Sequence, residues 1–420
     1  MRVGVEVGGT FTDLVVIDGE RIAIAKVPST PSRPDEGALA AIEAASLPLG
    51  SVTDLVHGST VATNAILERK GAAIALLVTR GFRDILLLQR HSRRRIYDLF
   101  YRKPTPVVGR ADTFEVAERT GSDGAVIEPL DEAALAAVLD RITADPRYEA
   151  VALCLLNAYA NPSHERRVAD LIRARRPDLP VTCSSDVTRE FREYERASSV
   201  SLAAYVQPVI EGYLARLTRA LAGRGFAGRF SVMQSNGGRL PAEAVARNAI
   251  TALFSGPAAG VTGAVRQAGQ SGFADLITFD MGGTSTDVCL VSNGVPAITS
   301  QTEVDGLPVR TPVLDIVSVG AGGGSIVWVD DGGLLRVGPR SAGADPGPAC
   351  YGRGGNDPTI TDAHLIRGTI QASAFLGGRM KVDETAAARV FAPLVERLGM
   401  GLRDIADSAV RVAEASIVRA

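Results

Sequence analysis

The chain is poor in cysteine, in net charge and in long apolar runs, and each shortage removes a class of function. Its four cysteines (Cys154, Cys183, Cys289 and Cys350) lie far apart without metal-ligand spacing, and are expected to be reduced. A formal net charge of -2 argues against a nucleic-acid-binding surface. No apolar run reaches the roughly 20 residues of a membrane span, and Met1 leads straight into a strand without a signal peptide, so a cytoplasmic protein with no membrane partner is expected. Low-complexity tracts are absent as well. What is there is a chain of 420 residues, 46% apolar, enough for two or three domains with substantial cores.

The strongest signal is a repeated unit. Val5 to Asp13 reads Val-Glu-Val-Gly-Gly-Thr-Phe-Thr-Asp, and Phe279 to Asp287 reads Phe-Asp-Met-Gly-Gly-Thr-Ser-Thr-Asp. Each copy follows a strand-like apolar run and leads into a second one, closed by Asp18-Gly19 in the first case and Asn293-Gly294 in the second, dipeptides that favour tight hairpins. A repeated strand, glycine turn, strand and hairpin is far more informative than a single motif.

The chemistry of the unit follows from its residue types. Paired glycines let the backbone approach a ligand and turn successive N–H groups into one concavity, a good anion site. Threonine hydroxyls add donors, and a carboxylate holds a divalent cation, directly or through water, against phosphate oxygens. The turns run from strand to strand, unlike a dinucleotide fingerprint, which runs from strand to helix. Two such loops, one per half, resemble the clamp that the actin, sugar-kinase and heat-shock ATPase superfamily closes on ATP. The expected fold is therefore α/β, with duplicated ribonuclease H-like ATPase domains.

Between and after the two units, the pattern alternates between apolar strands and amphipathic helices, as in layered α/β proteins. Ala73 to Val78 reads as a buried strand with Thr79-Arg80-Gly81-Phe82-Arg83-Asp84 at its C-terminal end, where α/β ligands tend to bind. The bases Arg90, Arg93, Arg94, Arg95, Arg102 and Lys103 surround Ile96 to Tyr101, and are read as a solvated face with packed aromatics in preference to an anion or partner site. Thr188 to Leu221 is helical for an unusual length, suited to crossing between halves, with Pro208 expected to break or kink it. Ser255-Gly256-Pro257 opens a small-residue helix that suits either close packing or phosphate. Gly320 to Gly324 holds four glycines, so Gly322 and Gly323 are expected beside ligand or other backbone. Val337 to Gly352 reads as an ordered irregular loop, and the rest of the chain as mostly helical.

The order of His57 to Ala65, Thr79 to Asp84, Ser255 to Gly260, Asp280 to Asp287 and the Ser341 to Tyr351 loop resembles the A subunit of the ATP-dependent hydantoinase and 5-oxoprolinase family, to which subunits of acetone and acetophenone carboxylases are related. The resemblance spans essentially the whole chain, which divides into an N-terminal domain at 1–185 and a second domain at 186–420. It implies an ATP- and magnesium-using subunit in a hetero-oligomer with a B-type subunit, acting on a small cyclic amide. Gly8, Gly9, Thr10, Thr12, Gly282, Gly283, Thr284 and Thr286 would grip the triphosphate, with Gly322 and Gly323 assigned to the nucleotide site. Asp13, Asp280 and Asp287 would serve as magnesium and catalytic carboxylates. His57, Asn64, Arg80 and Arg83 would contact substrate or position the domains, although a lone histidine at position 57 also fits a structural role.

Two departures qualify the resemblance. Glu6 stands where the family more often has Asp, and the family's further glycine-rich segment, expected to hold adenosine, does not follow Glu414. Three other readings stay open: a carboxylase-type subunit that activates a ketone and bicarbonate, a small-molecule kinase, and a non-catalytic assembly partner.

Overall fold

The computed structural model describes every residue except Pro31, Arg94, Ala344, Arg379 and Ala420, together with all side chains of the rest but that of Leu376. Arg2–Val7, Phe11–Asp18 and Arg21–Pro28 form an antiparallel meander in which alternate residues Val3, Val5, Leu14 and Val16 turn into the core. Asp54–Ser59 pairs parallel with Arg2–Val7, Arg229–Met233 pairs parallel with Asp54–Ser59, and Arg239–Pro241 closes the far edge. The result is a six-stranded sheet whose strands come from both sides of residue 185. The sheet thus crosses the boundary drawn from the sequence, because the stretch between Asp54–Ser59 and Arg229–Met233 folds as a layer of its own.

That layer is a four-stranded sheet of Thr113–Val116, Ile74–Thr79, Ala150–Cys154 and Val181–Cys183, all parallel. Every residue of Ile74–Thr79 is buried, as its unbroken apolar run requires when helices cover both faces. Glu193–Gly223, a helix of 31 residues, spans from this sheet to the first core and runs through Pro208 without a break. Its buried Arg196 lies 3.7 Å from the equally buried Glu165, whose carboxylate also accepts from Ser184 Oγ at 2.6 Å and from the backbone N–H groups of Leu155 and Ser185.

The second hairpin, Leu276–Met281 with Thr286–Ser292, pairs further with Val295–Pro296 and Ile316–Val319. Helix Ser255–Gln270 packs on one face of it through Ala258 and Val261 against Cys289 and Val291. Beyond it, Leu335–Ser341 is a strand paired with Ser325–Val329, so the irregular loop expected from Val337 begins only after Ser341. Helices Ile360–Arg367, Glu384–Leu398 and Leu402–Val418 share a separate core around Phe391 and Ile405.

The segment of interleaved bases and aromatics is not the packed face expected of it. Tyr97, Leu99 and Phe100 stand out into solvent, because the chain there forms a loop that no described helix or strand covers. Tyr101 lies under Arg93, 5.5 Å from the ring centre to the guanidinium, and Arg94 is outside the described residues. All four cysteines are free and buried. No described helix is long and apolar enough to cross a membrane.

Candidate functional site

The two glycine turns are built alike. In the first, Glu6 pairs with Asp13 across the hairpin and Gly8 N–H donates to Phe11 O at 3.0 Å; in the second, Asp280 pairs with Asp287 and Gly282 N–H donates to Ser285 O at 2.8 Å. Each turn closes on itself and leaves the next amides outside the ladder. Among the described residues, the N–H groups of Gly9, Thr10, Gly283 and Thr284 donate to no protein acceptor. Unengaged amides of successive turn residues make an anion-binding concavity.

The fold sets these concavities against each other. A Cβ placed on Gly283 would stand 2.7 Å from Thr10 Oγ1, so the loops touch across the gap between the two sheets. Helix Ser255–Gln270 holds their spacing from behind. Glu6 Oε1 would be 2.6 Å from a Cβ on Gly256, and Asp280 Oδ2 would be 3.8 Å from one on Gly260, a single helical turn further on. The helix start is also fastened to the first sheet, where Ser255 Oγ donates to Ser59 O at 2.9 Å. Close packing, one of the two uses open to Ser-Gly-Pro, is what the structure shows.

The electrostatics of the gap are those of crowded carboxylates. Burial first, then repulsion from Asp13 and Asp280, pushes the Glu6 carboxyl up to about 7, partly offset by Lys26. Lys26 Nζ binds both oxygens of Asp13 at 2.8 Å. Asp287 is likewise raised by burial, while a hydrogen bond from Ser318 Oγ works against that rise.

Residues 2–175 match the N-terminal region of the hydantoinase/oxoprolinase family, and residues 196–420 match the hydantoinase/oxoprolinase family itself. The chain belongs to that family. An uncharacterized protein of Methanocaldococcus jannaschii is 38% identical over 100% of this chain and 64% of its own length. The caprolactamase alpha subunit of Pseudomonas jessenii is 35% identical over 99% of this chain and 62% of its own. The crystal structure of the ATP-dependent caprolactamase from that organism superposes with a TM-score of 0.85 at 34% identity, covering 100% of this chain and 62% of that one. Nucleotide-free acetone carboxylase superposes with a TM-score of 0.83 at 28% identity, over 99% of this chain and 61% of that one. The hydantoinase/oxoprolinase-family chain thus spans less than two thirds of these relatives, and it shares their α/β, actin-like ATPase fold.

Not every residue assigned to the site from the sequence of this family member reaches it. Thr12 and Thr286, the second threonines of the two loops, are fully buried: Thr12 shares a hydrogen bond with Ser29 at 3.0 Å and Thr286 donates to Ala321 O at 2.9 Å. They brace the turns from beneath, and Thr10 and Thr284 are the threonines left at the gap. Gly322 and Gly323 have their amides engaged, Gly322 with Ser325 Oγ at 2.9 Å and Gly323 with Gly282 O at 3.0 Å. A Cβ on Gly322 would lie 2.6 Å from Ser285 N, so that glycine lets backbone approach backbone, one of the two uses expected of it, while a Cβ on Gly323 would stand 2.8 Å from Thr361 Oγ1.

His57 is fully buried in the first sheet, its Nδ1 on Val5 O at 3.1 Å and its Nε2 on Tyr213 Oη at 2.7 Å, which leaves no ring nitrogen for a substrate. Asn64 sits one turn into helix Val61–Leu67, bonded to Thr60 Oγ1 at 3.2 Å, and Thr60 N–H reaches back to Val7 O beside the first loop. Arg80 and Arg83 stand at the exposed end of the four-stranded sheet, paired with Glu128 and with Arg110 O, and touch neither glycine loop. Sequence reasoning passed over Lys26 and Ser318. Lys26 was accessible to it, because Asp13 and Lys26 are direct cross-strand neighbours in the first meander.

Proposed function

We propose that this chain is the ATP-using part of a cyclic amide hydrolase, with a triphosphate held between the two glycine loops and a B-type subunit as partner. The observation that carries the reading is the contact of Thr10 with Gly283, which sets two unengaged amide concavities face to face. Phosphoryl transfer depends chiefly on alignment and charge neutralisation, and amides of Gly9, Thr10, Gly283 and Thr284 with the hydroxyls of Thr10 and Thr284 supply donors from both sides.

Magnesium fits the donor set. Among the described residues no three metal-ligating side chains converge, so a direct protein cage is absent, yet Glu6, Asp13 and Asp280 crowd enough negative charge to raise the Glu6 carboxyl, and a cation relieves that repulsion. Asp13, Asp280 and Asp287 would hold it, largely through water, and it would neutralise charge on the phosphate oxygens. Ser318 orients Asp287 and Lys26 orients Asp13 for that role.

The acceptor in this reading is the carbonyl oxygen of a hydantoin, 5-oxoproline or lactam ring. Its oxygen takes the γ-phosphoryl group from ATP and ADP leaves. The activated carbon then accepts a water, the ring C–N bond breaks with a proton going to the amine, and the acyl phosphate so formed is hydrolysed by a second water to carboxylate and phosphate. The family match and the caprolactamase likeness support a cyclic amide; the acetone carboxylase likeness supports a second reading, in which a ketone is activated for reaction with bicarbonate. Calorimetric titration with MgATP, using Asp287→Ala as control, tests the clamp. Saturable heat that disappears in the variant is expected, and absence of heat, or heat unchanged in the variant, removes the proposal. ATP turnover stimulated by a lactam, against turnover stimulated by acetone with bicarbonate, separates the two acceptors.

A further inference from the structure

The two hairpins share a register but not a cover. In the first, Val3, Val5 and Val16 are 2%, 3% and 5% exposed. Helix Pro34–Ala44 lays Ala38, Ala41 and Ile42 into the same core, and Asp54–Ser59 pairs parallel with the edge of Arg2–Val7. The equivalent residues of the second hairpin are Ile277, Phe279 and Leu290, with Ile277 opposite Leu290 just as Val3 is opposite Val16. These are 68%, 56% and 61% exposed, and Val317 of the adjoining strand extends the patch. Among the described residues, no strand pairs with the outer edge of Leu276–Met281.

An antiparallel sheet with one wet face alternates apolar and polar residues. This one is apolar on both faces: helix Ser255–Gln270 covers Cys289 and Val291, and the opposite face carries Ile277, Phe279, Leu290 and Val317. A contiguous exposed apolar patch beside an open strand edge is a template for association.

We infer that this face and edge form a docking surface for a strand–helix segment of polypeptide outside these 420 residues. The strand pairs parallel with Leu276–Met281, and the helix lays an apolar stripe over Ile277, Phe279, Leu290 and Val317. The first hairpin, completed in just this way by Asp54–Ser59 and Pro34–Ala44, is the template. A second copy related by a two-fold axis would set Leu276–Met281 antiparallel to itself, which does not reproduce that pairing. The occupant is polypeptide of the kind that makes up the part of the caprolactamase alpha subunit that this chain does not match. The inference does not depend on the ATP reading. Docking would nevertheless brace the second glycine loop, because Asp280 lies in the same strand and Gly282 directly follows it.

The test uses the full chain, tagged, together with the unmatched part of the Pseudomonas jessenii caprolactamase alpha subunit, both mixed after purification and co-expressed. A one-to-one complex is expected by light scattering, with amide exchange across residues 276–281 slowed about 100-fold or more as the edge gains partners. Ile277→Glu with Leu290→Glu should abolish the complex, while Tyr97→Glu, on the exposed loop elsewhere, should leave it. Unchanged exchange in the Ala150–Cys154 strand shows that the double variant is folded. Failure to form the complex in both formats, or its survival in the double variant, overturns the inference. Self-association of the chain alone that the double variant dissolves also overturns it, in favour of a second copy.

Discussion

Thr10 and Gly283 belong to different glycine loops, and the hydroxyl of the first stands 2.7 Å from where a side chain on the second would begin. Gly283→Ala therefore has to push the loops apart or turn Thr10 away. Displacements near 1 Å at a phosphoryl-transfer site lower turnover by about 100-fold, and that is the expected loss in ATP turnover. Thermal unfolding should shift little, since Gly283 lies at the gap and not in a core. A variant with normal turnover would show that the loops do not act together.

The same logic applies behind the first loop. Gly256→Ala places a methyl 2.6 Å from Glu6 Oε1, where Gly8 lies beside the carboxylate and Gly58 beside its Cγ. Glu6 has to move, and MgATP affinity should fall about tenfold or more, the scale of a lost supporting contact at a metal or phosphate site. Pairing the change with Glu6→Asp, which is shorter by one methylene, should recover part of the affinity in the same titration. No recovery would place the effect of Gly256→Ala in the helix and not in Glu6.

His57 predicts a pH dependence of stability. Its Nδ1 faces a carbonyl and so carries the proton, leaving Nε2 to accept from Tyr213 Oη. Burial holds the imidazole down at about 4, against an ordinary value of 6.5. The folded state thus binds fewer protons than the unfolded chain between those values, and its contribution is complete above pH 6.5 and is lost as the pH falls towards 4. The loss amounts to about 3 kcal/mol. Urea unfolding of the protein and of His57→Gln should differ in slope over that window; parallel slopes would contradict the buried neutral ring.

The Glu165–Arg196 pair predicts stability without activity. Both side chains are fully exposed to none of the solvent, and Glu165 also accepts from Leu155 N–H, Ser185 N–H and Ser184 Oγ. Glu165→Ala strands a buried guanidinium and leaves those donors unmatched, which is expected to destabilise the protein by about 3–5 kcal/mol in denaturant unfolding. Loss below 1 kcal/mol would show that water replaces the carboxylate.

The glycine turns were legible because repetition is a property of the chain itself. Gly-Gly-Thr between two apolar alternations dictates strand, turn and strand locally, whichever partner the unit meets, and the repeat at Asp280 to Asp287 then implies a second such unit. Burial of Ala73 to Val78 was legible for the same reason, since an unbroken apolar run has no polar face to offer water. The direction of a side chain at a turn was not. Thr10 and Thr12 are the same residue type two positions apart, yet one faces the gap and the other Ser29, and only the strand Arg21–Pro28 and its following loop decide this.

Long-range placement was beyond local pattern altogether. Arg80 and Arg83 sit at a strand end, a good position by rule, but the partners they find there are Glu128 and Arg110 O, and the strand belongs to a different sheet from either glycine loop. His57 is a polar residue whose role rests on Tyr213, which lies 156 positions further on. Local sequence determined the two hairpins, their turn chemistry and the alternation of layers, because those follow from φ/ψ preference and periodicity over a few residues. Tertiary structure alone decided that the loops face one another, that Glu6 lodges against Gly256, and that Ile277 and Phe279 are bare where Val3 and Val5 are covered, because each depends on which distant surfaces exclude water together.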